Sequence, residues 1–410
     1  MKFINKIFLI LITIFVVTSF LSMSFASDTK YVWSPLKSTT PTSTSVTNVD
    51  NNNSLNLESG AAILIEQSTG QILYSHNVHE KLRPASVTKI MSILLIMEQI
   101  NNGNLSLDEQ IPCSETAASM GGSQIWLDTR ETLSVNDMLK AICVVSANDC
   151  VVAMAERIAG SESAFVNMMN EKARQLGMTD TTFKNCHGID EDGHVTSACD
   201  ISLMSKELLN KYPEITKYTT IWMDSLRDGK SQLVNTNKLI RNYKGATGLK
   251  TGSTSQALYN LSASATRDDL SLIAVILRAP STKVRFDEAQ KLLDYGFNNF
   301  LYKQFAKKDD IAKNINVLKG INTNVDIAFE NNAGILLKKG NENGIDQIIN
   351  LPDSVNAPIT KGQKLGEVTY SSNGDTILTI DLVSTKDIEK INLFAMCKKI
   401  YSMWFSLGRF

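Results

Sequence analysis

Hydrophobic and polar positions divide the chain into five stretches. An apolar run over Ile7–Phe20 follows two lysines and precedes Ser-Phe-Ala, which is the pattern of a secretory signal peptide over residues 1–26. The run is short for a bilayer span, so a retained membrane anchor is the less favoured alternative. Residues 27–58 are mostly polar, rich in Ser, Thr and Asn, with few large apolar side chains, which predicts a flexible linker.

Strand and helix patterns then predict an α+β domain over residues 59–302. Apolar residues on either side of a Ser-Thr-Gly turn predict one hairpin, and Arg-Asp-Asp separates two apolar runs in a second. Apolar residues at helical spacing follow Ser86 as far as Gly103 and recur between the hairpins. Because the predicted strands lie at both ends of the domain, we expect them to meet in one antiparallel sheet. The predicted strands are Ala61–Ile65, Gln71–Ser75, Tyr259–Thr266 and Leu270–Leu277, and further helices are Val135–Val145, Cys150–Ala159 and Phe286–Asn299.

The C-terminal part of the chain has two further patterns. Short β-like runs between turn residues predict a small all-β domain, a β-sandwich, over residues 303–385. Residues 386–410 carry an apolar stripe opposite a basic face, which predicts an amphipathic helix in a membrane interface, with docking on its own domain as the alternative. The stripe is Leu393, Cys397, Ile400, Trp404 and Leu407, and the β-like runs are Val325–Phe329, Ile335–Lys338, Leu365–Tyr370 and Ile377–Val383.

Composition narrows the functions that the chain can have. Its 410 residues are 43% hydrophobic and 20% charged, which is ordinary for a globular protein. A net charge of −1 produces no field that would attract nucleic acid, so nucleic-acid binding is not expected. Six cysteines are thinly spread over a large exported chain, so we expect mostly free thiols, with a Cys143–Cys150 bridge left open.

Three short segments carry the candidate chemistry. Ser86–Lys89 reads Ser-Val-Thr-Lys, Ser146–Asn148 reads Ser-Ala-Asn, and Lys250–Gly252 is the only Lys-Thr-Gly in the chain. Fragments like the first two also occur elsewhere, so the signal lies in the order of the three segments and in their spacing, 60 and then 104 residues. Together they predict a serine acyl-transfer site that uses no histidine base.

Ser86 is the predicted nucleophile and Lys89 its base. Residues i and i+3 share a helix face, so the Lys89 amine can approach the Ser86 hydroxyl. A free lysine has a pKa of about 10.4, so this role requires burial or a nearby cation such as Lys250 to favour the neutral amine. A helix start at Ser86 aims backbone N–H groups at a developing oxyanion, with the N–H of Ser253 as second donor and Gly252 allowing close approach of the strand.

The remaining polar residues of these segments are expected to hold the substrate. Ser146 is suited to pass a proton to the leaving amine, and the Asn148 amide to bind a peptide group of the substrate. Lys250 and Thr251 suit a carboxylate. Recognition of a free C-terminal carboxylate would restrict cleavage to the last residue of a peptide, so the sequence predicts an exopeptidase.

These segments resemble the signature blocks of the low-molecular-mass penicillin-binding proteins that act as D-alanyl-D-alanine carboxypeptidases. The resemblance covers most of the chain. It implies an antiparallel sheet with helices on both faces, then a β-domain, then an amphipathic membrane helix. The matching blocks are Pro84–Lys89, Val145–Asp149, His187–Asp190 and Gly248–Gly252, with Ala357–Ile359 and Lys361–Gln363 in the β-domain.

The resemblance implies removal of the terminal D-alanine from peptidoglycan pentapeptides ending in D-Ala-D-Ala, through an acyl-enzyme on Ser86 that limits cross-linking. It further implies β-lactams as covalent inhibitors, no cofactor or metal, and a peripheral location at the outer face of the cytoplasmic membrane. Arg285 lies where family members place a basic residue near the substrate carboxylate. This chain departs from the family pattern after the Lys-Thr-Gly segment. The family usually has a glycine two residues past an alanine there, whereas in this chain Ala257 is followed by Leu258. A bulkier residue there is expected to narrow the site.

Three other functions fit the sequence less well. A class A β-lactamase shares Ser-x-x-Lys and Lys-Thr-Gly but needs a glutamate to activate water, and the matching loop holds His187–Asp190 instead. A catalytically silent cell-wall binding protein is disfavoured by the intact Ser86 and Lys89. Zinc binding by His76 and His79 is disfavoured because the pair lies on a predicted turn.

Overall fold

The structure is a computed structural model that describes residues 55–340, 344–372, 375–397 and 401. The predicted signal peptide and most of the predicted linker lie outside the described residues. The same holds for Ile400, Trp404 and Leu407 of the predicted C-terminal helix. No helix within the described ranges is long and apolar enough to cross a bilayer.

Residues 61–299 form one unit of strands and helices, which we call the α+β unit. Its strands are β1 (Ala61–Glu66), β2 (Ile72–His76), β3 (Gln110–Pro112), β4 (Thr132–Ser134), β5 (Met223–Leu226), β6 (Ser231–Val234), β7 (Ala246–Thr254), β8 (Leu258–Arg267) and β9 (Leu270–Ala279). Its helices are α1 (Lys89–Asn101), α2 (Glu115–Ala118), α3 (Val135–Val144), α4 (Asn148–Ala159), α5 (Glu162–Gln175), α6 (Ala198–Lys211), α7 (Thr216–Thr219), α8 (Leu239–Asn242) and α9 (Thr282–Asn299), with 3₁₀ turns at Ala85–Thr88 and Pro213–Ile215.

A five-stranded antiparallel sheet in the order β2-β1-β9-β8-β7 is the centre of this unit. Both predicted hairpins are present, and the two ends of the domain meet where β1 pairs with β9, so the predicted α+β class is confirmed. Alternate residues of β1 serve two cores: Ile63 packs with the helices α1 and α3–α6, whereas Leu64 packs with α9 on the other face. Helices therefore cover both faces of the sheet.

Two features of the α+β unit were not predicted. The hairpins β3/β4 and β5/β6 lie within stretches interpreted as helical or left unassigned, because strands of three or four residues carry too few alternations to be recognised. The second is the 3₁₀ turn before the buried helix, since the helix itself was predicted to start at Ser86. The α-helix α1 begins at Lys89, and Ser86 lies in the 3₁₀ turn before it, where Ala85 has a φ of +48°.

Residues 300–390 form a second unit of strands, which we call the β unit. Its strands are β10 (Phe300–Ala306), β11 (Ile311–Leu318), β12 (Asn324–Phe329), β13 (Ala333–Lys338), β14 (Ile345–Asn350), β15 (Ser354–Asn356), β16 (Lys364–Ser372) and β17 (Asp375–Ser384). Six of them form a sheet in the order β14-β16-β17-β12-β11-β15, and β10 pairs with β13. Phe305 stacks on Tyr370 with 4.4 Å between ring centroids and joins the pair to the sheet. The four predicted runs correspond to β12, β13, β16 and β17. The helix predicted over residues 386–410 is wrong at its start, because Ile388 is buried and bridges to Ile359, and the described helical residues begin at Leu393.

The cysteines are free thiols, so the Cys143–Cys150 bridge that the sequence left open is not formed. Cys143, Cys150 and two others are buried in the apolar core of the α+β unit. There they act as small hydrophobic residues.

Candidate active site

Ser86 lies in a turn that the edge strand β7 approaches very closely. Ser86 is half-buried, whereas the neighbouring residues of the turn are buried, so its hydroxyl is the part of the turn that a ligand can reach. A Cβ at Gly252 would lie 2.8 Å from the carbonyl oxygen of Pro84 and 2.9 Å from the backbone nitrogen of Ser86. Only glycine fits at that distance, which explains why Lys-Thr-Gly ends in glycine.

The Lys89 amine has three polar partners and no solvent exposure. Its Nζ lies 3.1 Å from Ser86 Oγ, 2.6 Å from Asn148 Oδ1 and 2.7 Å from the carbonyl oxygen of His187. Asn148 Nδ2 donates to the Gly121 carbonyl at 2.7 Å, which fixes Oδ1 as the atom that faces Lys89. Asn148 Oδ1 and the His187 carbonyl are pure acceptors, and in a neutral amine they can take its two hydrogens, which leaves the lone pair for the Ser86 hydroxyl.

Burial favours that neutral amine. Desolvation, and then the nearby charge of Lys250, hold the pKa of Lys89 well below its ordinary value. Burial, with a smaller contribution from the charge of Arg285, lowers the pKa of Lys250 to about 7. The site therefore supplies the shift that a lysine base requires.

The Ser146–Asn148 segment is held in an unusual conformation at the start of α4. Ser146 has a φ of +65°, and its buried Oγ has no hydrogen-bond partner within the part of the chain that the structure describes. The adjacent Asp149 carboxylate accepts the backbone N–H groups of Ile125 and Leu127 at 3.0 and 3.1 Å. A buried hydroxyl without a partner beside a rigidly held loop is a group that a bound ligand can satisfy.

The Lys250–Gly252 segment lies on β7, the free edge of the sheet. Lys250 is buried, and its Nζ donates to the Thr251 carbonyl at 3.0 Å. Thr251 Oγ1 lies 2.7 Å from Thr236 Oγ1, and Ser253 is exposed. Because an edge strand pairs on one side only, part of its backbone N–H groups are left for a ligand.

Arg285 lies on α9 and contacts the backbone of β7 and of its neighbour β8. Its Nη1 donates to the carbonyls of Gly252 at 3.3 Å and Asn260 at 3.2 Å. The guanidinium also lies 4.7 Å from the ring centroid of Phe286, and burial lowers its pKa to about 10. Its positive charge is thus held beneath β7 rather than at the protein surface.

Sequence reasoning missed several residues that shape this site. Asp149 is the last residue of the Val145–Asp149 block, but nothing in the sequence indicated that its carboxylate anchors the 121–127 loop. Thr236 and the carbonyl of His187 were missed because a lone threonine and a backbone atom carry no sequence signal. Leu258 has a φ of +55°, in the left-handed region that favours glycine, so the departure noted at this position coincides with an unusual backbone conformation.

A serine and a lysine one turn apart, a second serine with a free hydroxyl and an edge-strand lysine define the class of penicillin-recognising serine acyl-transferases. A family model described as D-alanyl-D-alanine carboxypeptidase matches residues 46–281, more than half of the chain. The chain therefore belongs to the D-alanyl-D-alanine carboxypeptidase family of low-molecular-mass penicillin-binding proteins. A second model, the C-terminal domain of penicillin-binding protein 5, matches residues 300–390.

Individual relatives agree with this family. The chain is similar to D-alanyl-D-alanine carboxypeptidase DacF of Bacillus subtilis, with 41% identity over 85% of this chain and 90% of the relative. It is similar to the solved structure of penicillin-binding protein 5 from Haemophilus influenzae, with a TM-score of 0.69, 29% identity, and coverage of 82% of this chain and 98% of that one. It is also similar to penicillin-binding protein D2 from Listeria monocytogenes in its ampicillin-bound form, with a TM-score of 0.55, 32% identity, and coverage of 59% and 99%.

Proposed function

We propose that the chain is a serine-type D-Ala-D-Ala carboxypeptidase that removes the terminal D-alanine from peptidoglycan pentapeptides and thereby limits cross-linking. Membership of the family and the names of the relatives support this activity. The observation that carries the mechanism is the set of three partners around Lys89 Nζ: two pure acceptors, and Ser86 Oγ at 3.1 Å, toward which the lone pair of a neutral amine can turn.

Acylation follows from that arrangement. Ser86 Oγ attacks the carbonyl carbon of the penultimate D-alanine, and the hydroxyl proton passes to Lys89 Nζ. The C–N bond to the last residue breaks, and the leaving amine takes a proton from the Ser146 hydroxyl, which Lys89 replenishes. The unpartnered Ser146 Oγ supports this role, because it is free to bond the departing nitrogen.

Binding of the substrate uses residues on both sides of Ser86, from the Ser146–Asn148 segment and from the edge strand β7. We assign the oxyanion to the backbone N–H groups of Ser86 and Ser253, and the peptide group of the acyl side to Asn148. The terminal carboxylate is assigned to Lys250 and Thr251, with the charge of Arg285 acting from beneath the strand. Its contact with the Gly252 carbonyl supports a positioning role for Arg285.

Hydrolysis of the acyl-enzyme completes the reaction. Water attacks the ester carbonyl and gives a proton to Lys89 Nζ, the Ser86 oxygen leaves and takes that proton back, and the shortened peptide is released. A β-lactam would acylate the same serine through opening of its strained ring. The similar penicillin-binding protein D2 from Listeria monocytogenes was solved in an ampicillin-bound form, which supports β-lactams as ligands of this site.

We further propose the domain limits and the location. Residues 59–302 are assigned to catalysis and residues 303–385 to the β-sandwich, after a signal peptide over 1–26 and a linker over 27–58. The C-terminal segment, whose described helical residues begin at Leu393, is assigned to the outer face of the cytoplasmic membrane. Leu393 and Phe394, which are 76% and 81% exposed at the start of this segment, support insertion of an apolar face into lipid.

The activity is tested by intact mass after incubation with benzylpenicillin and by D-alanine release from diacetyl-Lys-D-Ala-D-Ala. The wild type is expected to form a long-lived adduct on Ser86 and to release D-alanine, and Ser86→Ala to do neither. Rapid hydrolysis of the drug without D-alanine release would favour a β-lactamase. Absence of both signals would indicate a silent binding protein.

The location is tested by deletion of the chain from Ile391 onward. The truncated protein is expected to remain in the soluble fraction and to keep its acylation rate, whereas the full chain sediments with membranes. A truncated protein that still sediments would refute the helix as the anchor. A control deletion of residues 27–54 should leave the distribution of the mature chain unchanged.

A further inference from the structure

A chain of hydrogen bonds runs from the buried His194 to the residue before Ser86. His194 lies in the segment between α5 and α6, and its Nε2 is 2.8 Å from Thr88 Oγ1. Thr88 Oγ1 in turn lies 2.8 Å from the carbonyl oxygen of Ala85. On its other side, His194 Nδ1 is 3.0 Å from the backbone nitrogen of Lys184.

The direction of every bond in this chain is determined. The Lys184 N–H can only donate, so His194 Nδ1 is unprotonated and the proton of the neutral ring is on Nε2. Nε2 therefore donates to Thr88 Oγ1, and the Thr88 hydroxyl donates to the Ala85 carbonyl, which can only accept. Burial lowers the pKa of His194 to about 4, so the ring is neutral at physiological pH.

This series of hydrogen bonds ends at Ala85, whose backbone conformation is strained. Ala85 has a φ of +48°, a conformation that costs energy for a residue with a Cβ and persists only where its surroundings enforce it. Gly188 also approaches this carbonyl closely, since a Cβ there would lie 1.9 Å from the Ala85 oxygen and 2.9 Å from Thr88 Oγ1. The Ala85 carbonyl is thus bonded by the Thr88 hydroxyl that His194 orients, and the Gly188 backbone packs against both groups, which together form a clamp on the turn.

The same segment also reaches the base. The carbonyl of His187, seven residues before His194, accepts from Lys89 Nζ at 2.7 Å. Thr196, two residues after His194, exchanges backbone hydrogen bonds with Leu82 just before the nucleophile turn, at 2.8 and 2.9 Å. One loop therefore contacts the lysine base, the turn of the nucleophile and the segment that leads into it.

We propose that His194 is a positioning residue of the reaction, which acts through Thr88 and Ala85 to hold Ser86 Oγ within reach of Lys89. This inference rests on the proposed role of Ser86 as nucleophile. A misplacement of about 1 Å is enough to cost on the order of 100-fold in rate, so loss of the clamp is expected to lower acylation without removing a reacting group.

Paired variants test this proposal. His194→Leu removes both polar atoms of the ring, whereas His194→Gln keeps one acceptor for Lys184 and one donor for Thr88. We expect His194→Leu to lower the second-order rate of acylation by benzylpenicillin about 30-fold, with the peptide kcat reduced and KM within about threefold. His194→Gln should recover acylation to within about threefold of the wild type.

A second pair tests the same chain at Thr88. Thr88→Val replaces the hydroxyl by a methyl group of similar size, and Thr88→Ser restores the hydroxyl. Thr88→Val should lower the acylation rate as much as His194→Leu does. The double variant should acylate no more slowly than either single variant, because both substitutions interrupt the same series of hydrogen bonds. Thermal unfolding of every variant separates lost rate from lost fold, and His79→Gln, at an exposed histidine bonded to Asp180, is the control.

Three results would overturn the proposal. They are wild-type acylation by His194→Leu, failure of His194→Gln to recover the rate while it remains folded, and effects at His194 and Thr88 that multiply. If His194→Leu does not fold, the comparison of Thr88→Val with Thr88→Ser decides alone. Absence of a Ser86 adduct in the wild type would instead refute the proposed function, so the two failures are distinguishable.

Discussion

The α+β unit and the β unit use burial in opposite ways. At the centre of the α+β unit, the charged or ionisable side chains of Lys89, Asp149 and Lys250 are at most 1% exposed. In the β unit, Ile311 and Ile348 are about half exposed, on strands β11 and β14. Burying an amine is costly unless it is hydrogen-bonded, so the two buried lysines of the α+β unit mark a site where a shifted pKa can serve chemistry. The exposed isoleucines of the β unit carry no such cost, because single apolar side chains at a surface are ordinary.

The largest effect is expected from removal of the buried Lys89 amine. Lys89→Met keeps an unbranched side chain in the pocket but supplies no base, so acylation by benzylpenicillin is expected to fall at least about 1000-fold. The measurement is the rate of adduct formation by mass. A variant that acylates within tenfold of the wild type would show that Lys89 is only structural.

The close approach of β7 to the nucleophile is tested by Gly252→Ala. The new Cβ would lie 2.8–2.9 Å from backbone atoms of Pro84, Ser86 and Val87, so the strand must move away from the turn. We expect acylation to fall about 30-fold. Gly362→Ala in the β unit has open space but a φ of +79°, so it should lose about 1 kcal/mol of stability yet acylate normally.

Asp149→Asn tests the polar anchor of the 121–127 loop. The carboxylate accepts three backbone N–H groups, from Ile125, Leu127 and Cys150, and an amide NH₂ cannot replace one of these acceptors. The free energy of unfolding is expected to fall by about 2 kcal/mol, measured by thermal or denaturant unfolding. The matched control is Asp309→Asn at an exposed turn of the β unit, which should change it by less than about 0.5 kcal/mol.

A smaller effect is expected from Lys250→Gln on the pH dependence of acylation. The charge of Lys250 lowers the pKa of Lys89, so its removal raises that pKa and leaves more Lys89 protonated at a given pH. The acid limb of the acylation rate should therefore move to higher pH, while Lys230→Gln leaves it in place. A shift to lower pH would contradict the assignment of Lys89 as the group that must be neutral.

The smallest effect is expected in the β unit itself. Ile349→Ser lies on the edge strand β14, far along the chain from the site, and its side chain is already exposed. Acylation is expected to stay within twofold of the wild type, and the stability within about 0.5 kcal/mol. A large loss of acylation would show that the two units are coupled and would remove the contrast between them.

Much of this architecture was predictable from local patterns. The hairpins β1/β2 and β8/β9, the helices α3 and α9 and four strands of the β unit follow from apolar periodicity, which is a local property of the chain. The short hairpins β3/β4 and β5/β6 were not predicted because three or four residues do not establish a period. The 3₁₀ turn at Ser86 was also missed, since a Pro-Ala-Ser sequence is equally compatible with a regular helix start.

The sequence by itself determined the α+β class, the family and the three segments whose residue types suit a serine acyl-transfer site. It did so because motif order and apolar spacing are written along the chain. Only the tertiary structure decided that the Lys89 amine lies between Asn148 Oδ1 and the His187 carbonyl, and that His194 reaches the turn before Ser86. The pKa of a buried lysine and the placement of a strained turn depend on atoms distant in sequence, and only folding brings those atoms together.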